Sequence, residues 1–103
     1  MLFVTYWELN ENMSVEQRLE VAQKLTDSGL FPPEHVNIIR WDITPDGWGI
    51  MITEAESAAD VAQTLSMWRA AGTGFFNVTK TAPAMPVQES ISHTAELLKS
   101  LKS

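Results

Sequence analysis

Cysteine is missing from all 103 residues. That excludes disulfides, thiolate zinc sites and thiol nucleophiles. Basic residues are few, seven Lys and Arg against thirteen Asp and Glu, for a formal net charge of −6. Those seven (Arg18, Lys24, Arg40, Arg69, Lys80, Lys99 and Lys102) are scattered along the chain. A phosphate backbone is held by clustered cations, so nucleic acid is excluded as a partner, and an anionic membrane surface with it. No apolar run approaches the ~18 residues of a membrane span. The opening MLFVTYWELNENM lacks a basic flank and soon turns polar, so it does not read as a signal peptide. The expectation is a cytoplasmic protein.

What is present suits one ordinary domain. Hydrophobic residues make up 45% and charged residues 19%, the balance of a globular chain rather than a disordered one. The centre of the pattern is VNIIRWDITPDGWGIMITEAE, from Val36 to Glu56. Thr44-Pro45-Asp46-Gly47 is turn chemistry, and the flanking runs are rich in Ile, Trp, Val and Thr. This predicts a β-hairpin. Before it, Leu2 to Glu8 reads as a strand. Ser14 with Gln17 forms a capping box for a helix whose stripe is Val15, Leu19, Ala22 and Leu25, ended by Gly29 and Pro32-Pro33. After the hairpin, Ser57 with Asp60 opens a second helix with Ala58, Val61, Ala62, Leu65 and Trp68 on its stripe. Phe75 to Thr81 reads as a fourth strand, and Val87 to Leu101 as a last amphipathic helix.

The order β-α-β-β-α-β is that of the ferredoxin-like fold, an α+β domain over residues 1–82. Residues 83–103 form a C-terminal helical extension, packed either on the same domain or on a dimer mate. Right-handed crossovers place both helices on one face of a four-stranded antiparallel sheet. The face with Leu2, Val4, Ile50, Ile52, Phe76 and Val78 is the more aliphatic and is expected to meet the helices. The opposite face offers Phe3, Thr5, Trp7, Met51, Thr53, Phe75, Asn77 and Thr79, and the second strand is apolar on both sides. So much bare apolar surface predicts a cover, either the third helix or a second copy burying roughly 2,000 Å² or more.

The segments LFVTYWEL, PPEHVNIIRWDI, the second helix with Trp68, and FFNVTKTAPAMPVQESI resemble a small bacterial family labelled only as a domain of unknown function, within the dimeric α/β-barrel superfamily. The resemblance implies a ferredoxin-like protomer whose sheet pairs with that of another copy to close a barrel. That superfamily also holds cofactor-free monooxygenases, muconolactone isomerases and haem-degrading enzymes. The Asn, Trp and His set of the haem degraders has no counterpart here.

No residue pattern requires a cofactor or metal. His35 and His93 lack neighbouring ligands. Gly72-x-Gly74 runs from helix into strand, the reverse of a phosphate loop. Ser14 and Ser57 are cap residues outside any nucleophile elbow. The remaining candidates for holding a small organic ligand are Thr5, Tyr6, Trp7, Arg40, Trp41, Trp48 and Asn77, with Thr53 beside them. Arg against aromatic rings suits an anionic aromatic molecule, and Tyr, Thr and Asn would orient it. The tryptophans also suit a core or a dimer interface. Two functions follow: a non-catalytic homodimeric protein that binds a small ligand, or a cofactor-free monooxygenase- or isomerase-like enzyme for a small aromatic or polyketide-like substrate. The enzyme needs Arg40 or Asn77 to point into the barrel cavity enclosed by the two sheets. Arg40 and Trp41 must face opposite sides of the second strand.

Overall fold

The computed structural model describes residues 1–102; Ser103, the last residue of the expected extension, lies outside them. The elements are β1 (Leu2–Leu9), α1 (Val15–Ser28), β2 (Val36–Ile43), β3 (Trp48–Ala55), α2 (Ala58–Ala71), β4 (Phe76–Pro83) and α3 (Val87–Lys102). The four strands form one antiparallel sheet in the order β2-β3-β1-β4, the ferredoxin-like arrangement.

Local chemistry sets the ends of these elements. The Ser14 hydroxyl accepts from the Gln17 N–H, and the Gln17 side chain accepts from the Ser14 N–H, which satisfies two orphan donors of α1. Gly29 closes the helix in the left-handed region at φ 72°, where a side chain would be strained. The hairpin turns on Thr44–Gly47: the Gly47 N–H donates to the Thr44 carbonyl at 3.1 Å, and Gly47 has φ 79°. Pro45 supplies the preset φ of the first corner.

The helices cover the face opposite to the one expected from aliphatic content. Phe3, Thr5 and Trp7 of β1 are buried, with their partners Thr53, Met51 and Gly49 of β3. Val36, Ile38, Trp41 and Ile43 of β2 share that side by register. Leu2, Val4, Ile50 and Ile52 face away from the helices, and Val4 is exposed. Phe76 and Val78, expected on one face, lie on opposite faces. A bulge removes Asn77 from the pairing, so Phe76 meets Leu9 while Val78 meets Glu8.

Charge explains the inversion. Every charged strand residue (Glu8, Arg40, Asp42, Glu54 and Lys80) falls by register on the open face. An aliphatic side chain left in water forfeits about 1.5–3 kcal/mol. Burying one unpaired charge costs several kcal/mol. Five such charges outweigh the aliphatic surplus.

The α1 stripe is also shifted. Val21 and Leu25 are buried, whereas Val15 and Leu19, expected inward, are exposed. The inward row is therefore Arg18, Val21, Ala22 and Leu25, and α1 packs chiefly on α2 rather than on the sheet. The α1–α2 approach is close, because a Cβ on Gly72 would lie 2.3 Å from Val21. The core consequently has two parts. One joins Phe3, Val36, Met51, Ala55 and Val61 between the sheet and α2. The other joins Val21, Leu25, Trp68 and Phe75 between the helices and the start of β4.

The last helix stands apart. No residue of α3 is buried, and it makes no more than marginal contact with any other element among the described residues. The radius of gyration is 17.2 Å and the extents are 60 × 29 × 19 Å, against about 13 Å expected for a compact chain of this size. Val87, Ile91, Leu97, Leu98 and Leu101 of α3 are all exposed. No helix among the described residues is long and apolar enough to cross a membrane.

Candidate functional site

Between the two parts of the core, where α1 stands off the sheet, lies a cavity of about 350 Å³. That falls in the size range of small-molecule sites. Its floor is Trp7 and Leu9 of β1, Trp41 and Ile43 of β2, and Met51 of β3. Arg18 and Ala22 of α1, Thr64, Leu65 and Trp68 of α2, and Phe75 with Phe76 complete the wall.

The wall is an arc of touching rings. Trp41 meets Trp68 at 5.5 Å between centroids, Trp68 meets Phe75 at 5.1 Å, Phe75 meets Phe76 at 5.0 Å, and Phe76 meets Trp7 at 6.2 Å. Phe31 braces the arc from behind, 5.4 Å from both Trp41 and Trp68. Edge and tilted contacts of this kind hold rings in place beyond their simple burial. Gly49 admits the Trp7 indole, since a Cβ there would lie 2.4 Å from Trp7 Cζ2.

Polar groups in the cavity are few. The Arg18 Nη2 donates to the Asn10 carbonyl at 2.9 Å, and no carboxylate pairs with this guanidinium among the described residues. Its Nε–H is buried without a partner, and so is the Nε1–H of Trp7, a residue only 5% exposed. A buried donor left unmatched costs about 1–3 kcal/mol, so two of them on the side chains of one cavity are an uncommon expense. The Thr64 hydroxyl turns back to the Asp60 carbonyl at 3.5 Å. Asp42 also lines the cavity, while its carboxylate accepts from Arg40 Nε on the open face.

The seven sequence candidates divide between the faces. Trp7 and Trp41 line the cavity. Tyr6, Arg40 and Trp48 lie on the open face, with the Tyr6 and Trp48 rings 5.9 Å apart. Thr5 is fully buried in the sheet and shares a hydrogen bond with the Thr81 hydroxyl at 3.0 Å, and Thr53 is buried beside it. Asn77 is exposed at the β4 bulge. The step between Arg40 and Trp41 is thus resolved: Arg40 lies on the open face, the side a sheet-to-sheet barrel would enclose, and pairs with Asp42, while Trp41 faces the helices. A bulge between Ile38 and Arg40 accompanies it.

Sequence reasoning missed Arg18, Phe31, Thr64, Phe75 and Phe76 as site neighbours. A signal for Arg18 existed, because it is in helical phase with Val21, Ala22 and Leu25. Tyr6 is held above its ordinary pKa of 10.0, first by desolvation and then by the charge and hydrogen bond of Glu8. Asp42 likewise holds the Arg40 guanidinium protonated. His35 sits in a shallow depression with Glu34, Glu54 and Glu56, and His93 lies beside Glu89 on α3. No three His, Cys, Asp or Glu residues converge as a metal site among the described residues.

Fold and cavity together define a ferredoxin-like α+β domain with an aromatic-walled chamber between its helices and its sheet. The chain belongs to the DUF3303 family, a domain of unknown function, whose model matches residues 1–98. No curated protein matches the chain. Among solved structures it is similar to protein Atu4242 from Agrobacterium tumefaciens, at 14% identity and a TM-score of 0.46, over 84% of this chain and 93% of that one.

Proposed function

We propose that this chain is a non-catalytic small-ligand-binding protein that works as a homodimer. The observation that carries the reading is the 350 Å³ cavity with its wall of Trp7, Trp41, Trp68, Phe75 and Phe76. Such a wall favours a flat apolar molecule. The enzyme reading asked for Arg40 or Asn77 to point into a barrel closed by two sheets; Arg40 does lie on the open face but is already paired with Asp42, and Asn77 is exposed at the β4 bulge. The lining also lacks the paired acid and base that proton transfer would need.

The test is a titration with methyl 2-naphthoate, followed through tryptophan fluorescence. Ala22 lines the cavity from α1, so Ala22→Phe should fill the space and abolish binding while the fold persists. A wild-type protein that binds no flat apolar probe overturns the reading, as does an Ala22→Phe variant that binds equally well.

A second copy would pack on the open face. Val4, Tyr6, Ile50 and Ile52 occupy its two central strands. Arg40, Asp42 and Lys80 lie on its edge strands, and Glu8 and Glu54 at its ends. An apolar centre within a charged rim is the anatomy of a protein interface. The sheet face measures about 19 by 27 Å from strand spacings, on the order of 500 Å², below the ~800 Å² per partner of a standard interface. One side of α3, about 24 Å long and ~10 Å wide, supplies most of the difference. The extension therefore packs on the mate, not on its own domain. Sedimentation should show a dimer for the full chain and a weakened one after removal of residues 87–103. A full chain that sediments as a monomer at micromolar concentration refutes the dimer. A cysteine-free chain of this kind suits the cytoplasm.

A further inference from the structure

We infer that the ligand of this cavity ends in an anionic oxygen, a carboxylate or an ionised enol or phenol, which Arg18 and Trp7 receive together. The inference rests on the cavity being the binding site. Its own support is separate from the apolar wall. Two buried donors, Arg18 Nε and Trp7 Nε1, have no acceptor, and both belong to side chains that line the same chamber. Trp7 is held in place by its contact with Gly49 and by the Phe76 ring, so its N–H cannot simply swing out to water. Arg18 is anchored through Nη2 on the Asn10 carbonyl, which leaves the rest of its fork uncommitted.

A guanidinium without a carboxylate neighbour, on the lining of an aromatic-walled cavity, carries a positive charge that a neutral ligand would leave unmatched. An oxygen anion supplies the acceptor and the counter-charge at once, and a flat conjugated body fills the rest. A charge-assisted bond is about twice as strong as a neutral one. Arg40, the guanidinium expected to hold an anion in a barrel cavity, is on the other face and already paired with Asp42. Asp42 and Arg18 are the charged residues of the lining, and the Asp42 carboxylate is engaged by Arg40.

The experiment compares 2-naphthoate with its neutral methyl ester on the full-length protein. Naphthoate should bind about tenfold tighter or more, and Arg18→Gln should erase that preference while leaving ester binding in place. The four tryptophans give four indole N–H resonances, with that of Trp7 assigned through Trp7→Phe. Naphthoate should move the Trp7 resonance downfield, and the ester should move it less. This readout needs only the wild-type fold, so the test stands even where Arg18→Gln does not fold. Equal binding of acid and ester, or a Trp7 resonance that ignores both, overturns the anionic assignment and leaves the cavity reading intact. Failure of both probes to bind overturns the cavity reading itself.

Discussion

Adding one methyl group at Gly49 tests the support of the cavity floor. An ideal Cβ at Gly49 would lie 2.1 Å from the Asp42 carbonyl oxygen and 2.4 Å from Trp7 Cζ2. The first obstacle is backbone of the paired strand, and it cannot retreat without opening the β2–β3 ladder. The second is a buried indole. Overpacking of this kind costs about 1–3 kcal/mol, against which alanine regains about 0.5–1 kcal/mol over glycine in a strand. Gly49→Ala should therefore lose about 1–2 kcal/mol, a fall in melting temperature of about 4–16 °C for a domain of this size. Urea unfolding followed by circular dichroism gives the loss, with an unchanged m-value showing that the fold survives. The Trp7 indole resonance should shift as well. Gly47→Ala is the control: it meets nothing within 4 Å, loses stability only through its φ of 79°, and should leave that resonance alone. A Gly49→Ala protein as stable as the wild type refutes the argument that Gly49 exists to seat Trp7.

Two further outcomes follow from the packing and the charge pattern. Val21→Ala should cost about 2 kcal/mol through lost burial and a residual cavity, whereas Leu19→Gln, 64% exposed, should stay within about 0.5 kcal/mol; equal effects in thermal melts would return α1 to the stripe its sequence suggested. Tyr6 is the one tyrosine, so its phenolate absorbance can be followed alone. Its folded pKa lies above 10.0; the unfolded chain thus releases this proton first, and the contribution to stability is complete below pH 10.0 and fades as pH rises through the folded value. Glu8→Gln should bring the midpoint down, and a midpoint unmoved by that change would remove Glu8 as a cause.

Much of the architecture is legible in the sequence because it rests on local chemistry. The Ser14–Gln17 box, the Gly29 cap and the Pro45–Gly47 turn each act within a few residues, and each is found where its residues put it. Pairing details are less legible. The bulges at Ile39 and Asn77 shift the alternation of faces by one position, which no two-residue periodicity anticipates. For that reason Phe76 left Val78 and joined the cavity wall.

The candidate site was half legible for a reason that also explains why a cavity exists. Counting aliphatic residues selects the wrong face, whereas counting charges selects the right one, since all five strand charges share the open side. With that choice, the helices inherit a face of rings and small residues: Phe3, Trp7, Trp41 and Phe76 beside Thr5, Gly49, Thr53 and Ala55. α2 settles closely on it with Val61, Leu65 and Trp68. α1 does not: it packs chiefly on α2, and Arg18 stands in its inward row beside the gap. That side chain lines the space, and its buried Nε–H has no partner. An unpartnered guanidinium N–H there is better explained by an acceptor that arrives with a ligand than by the needs of the fold.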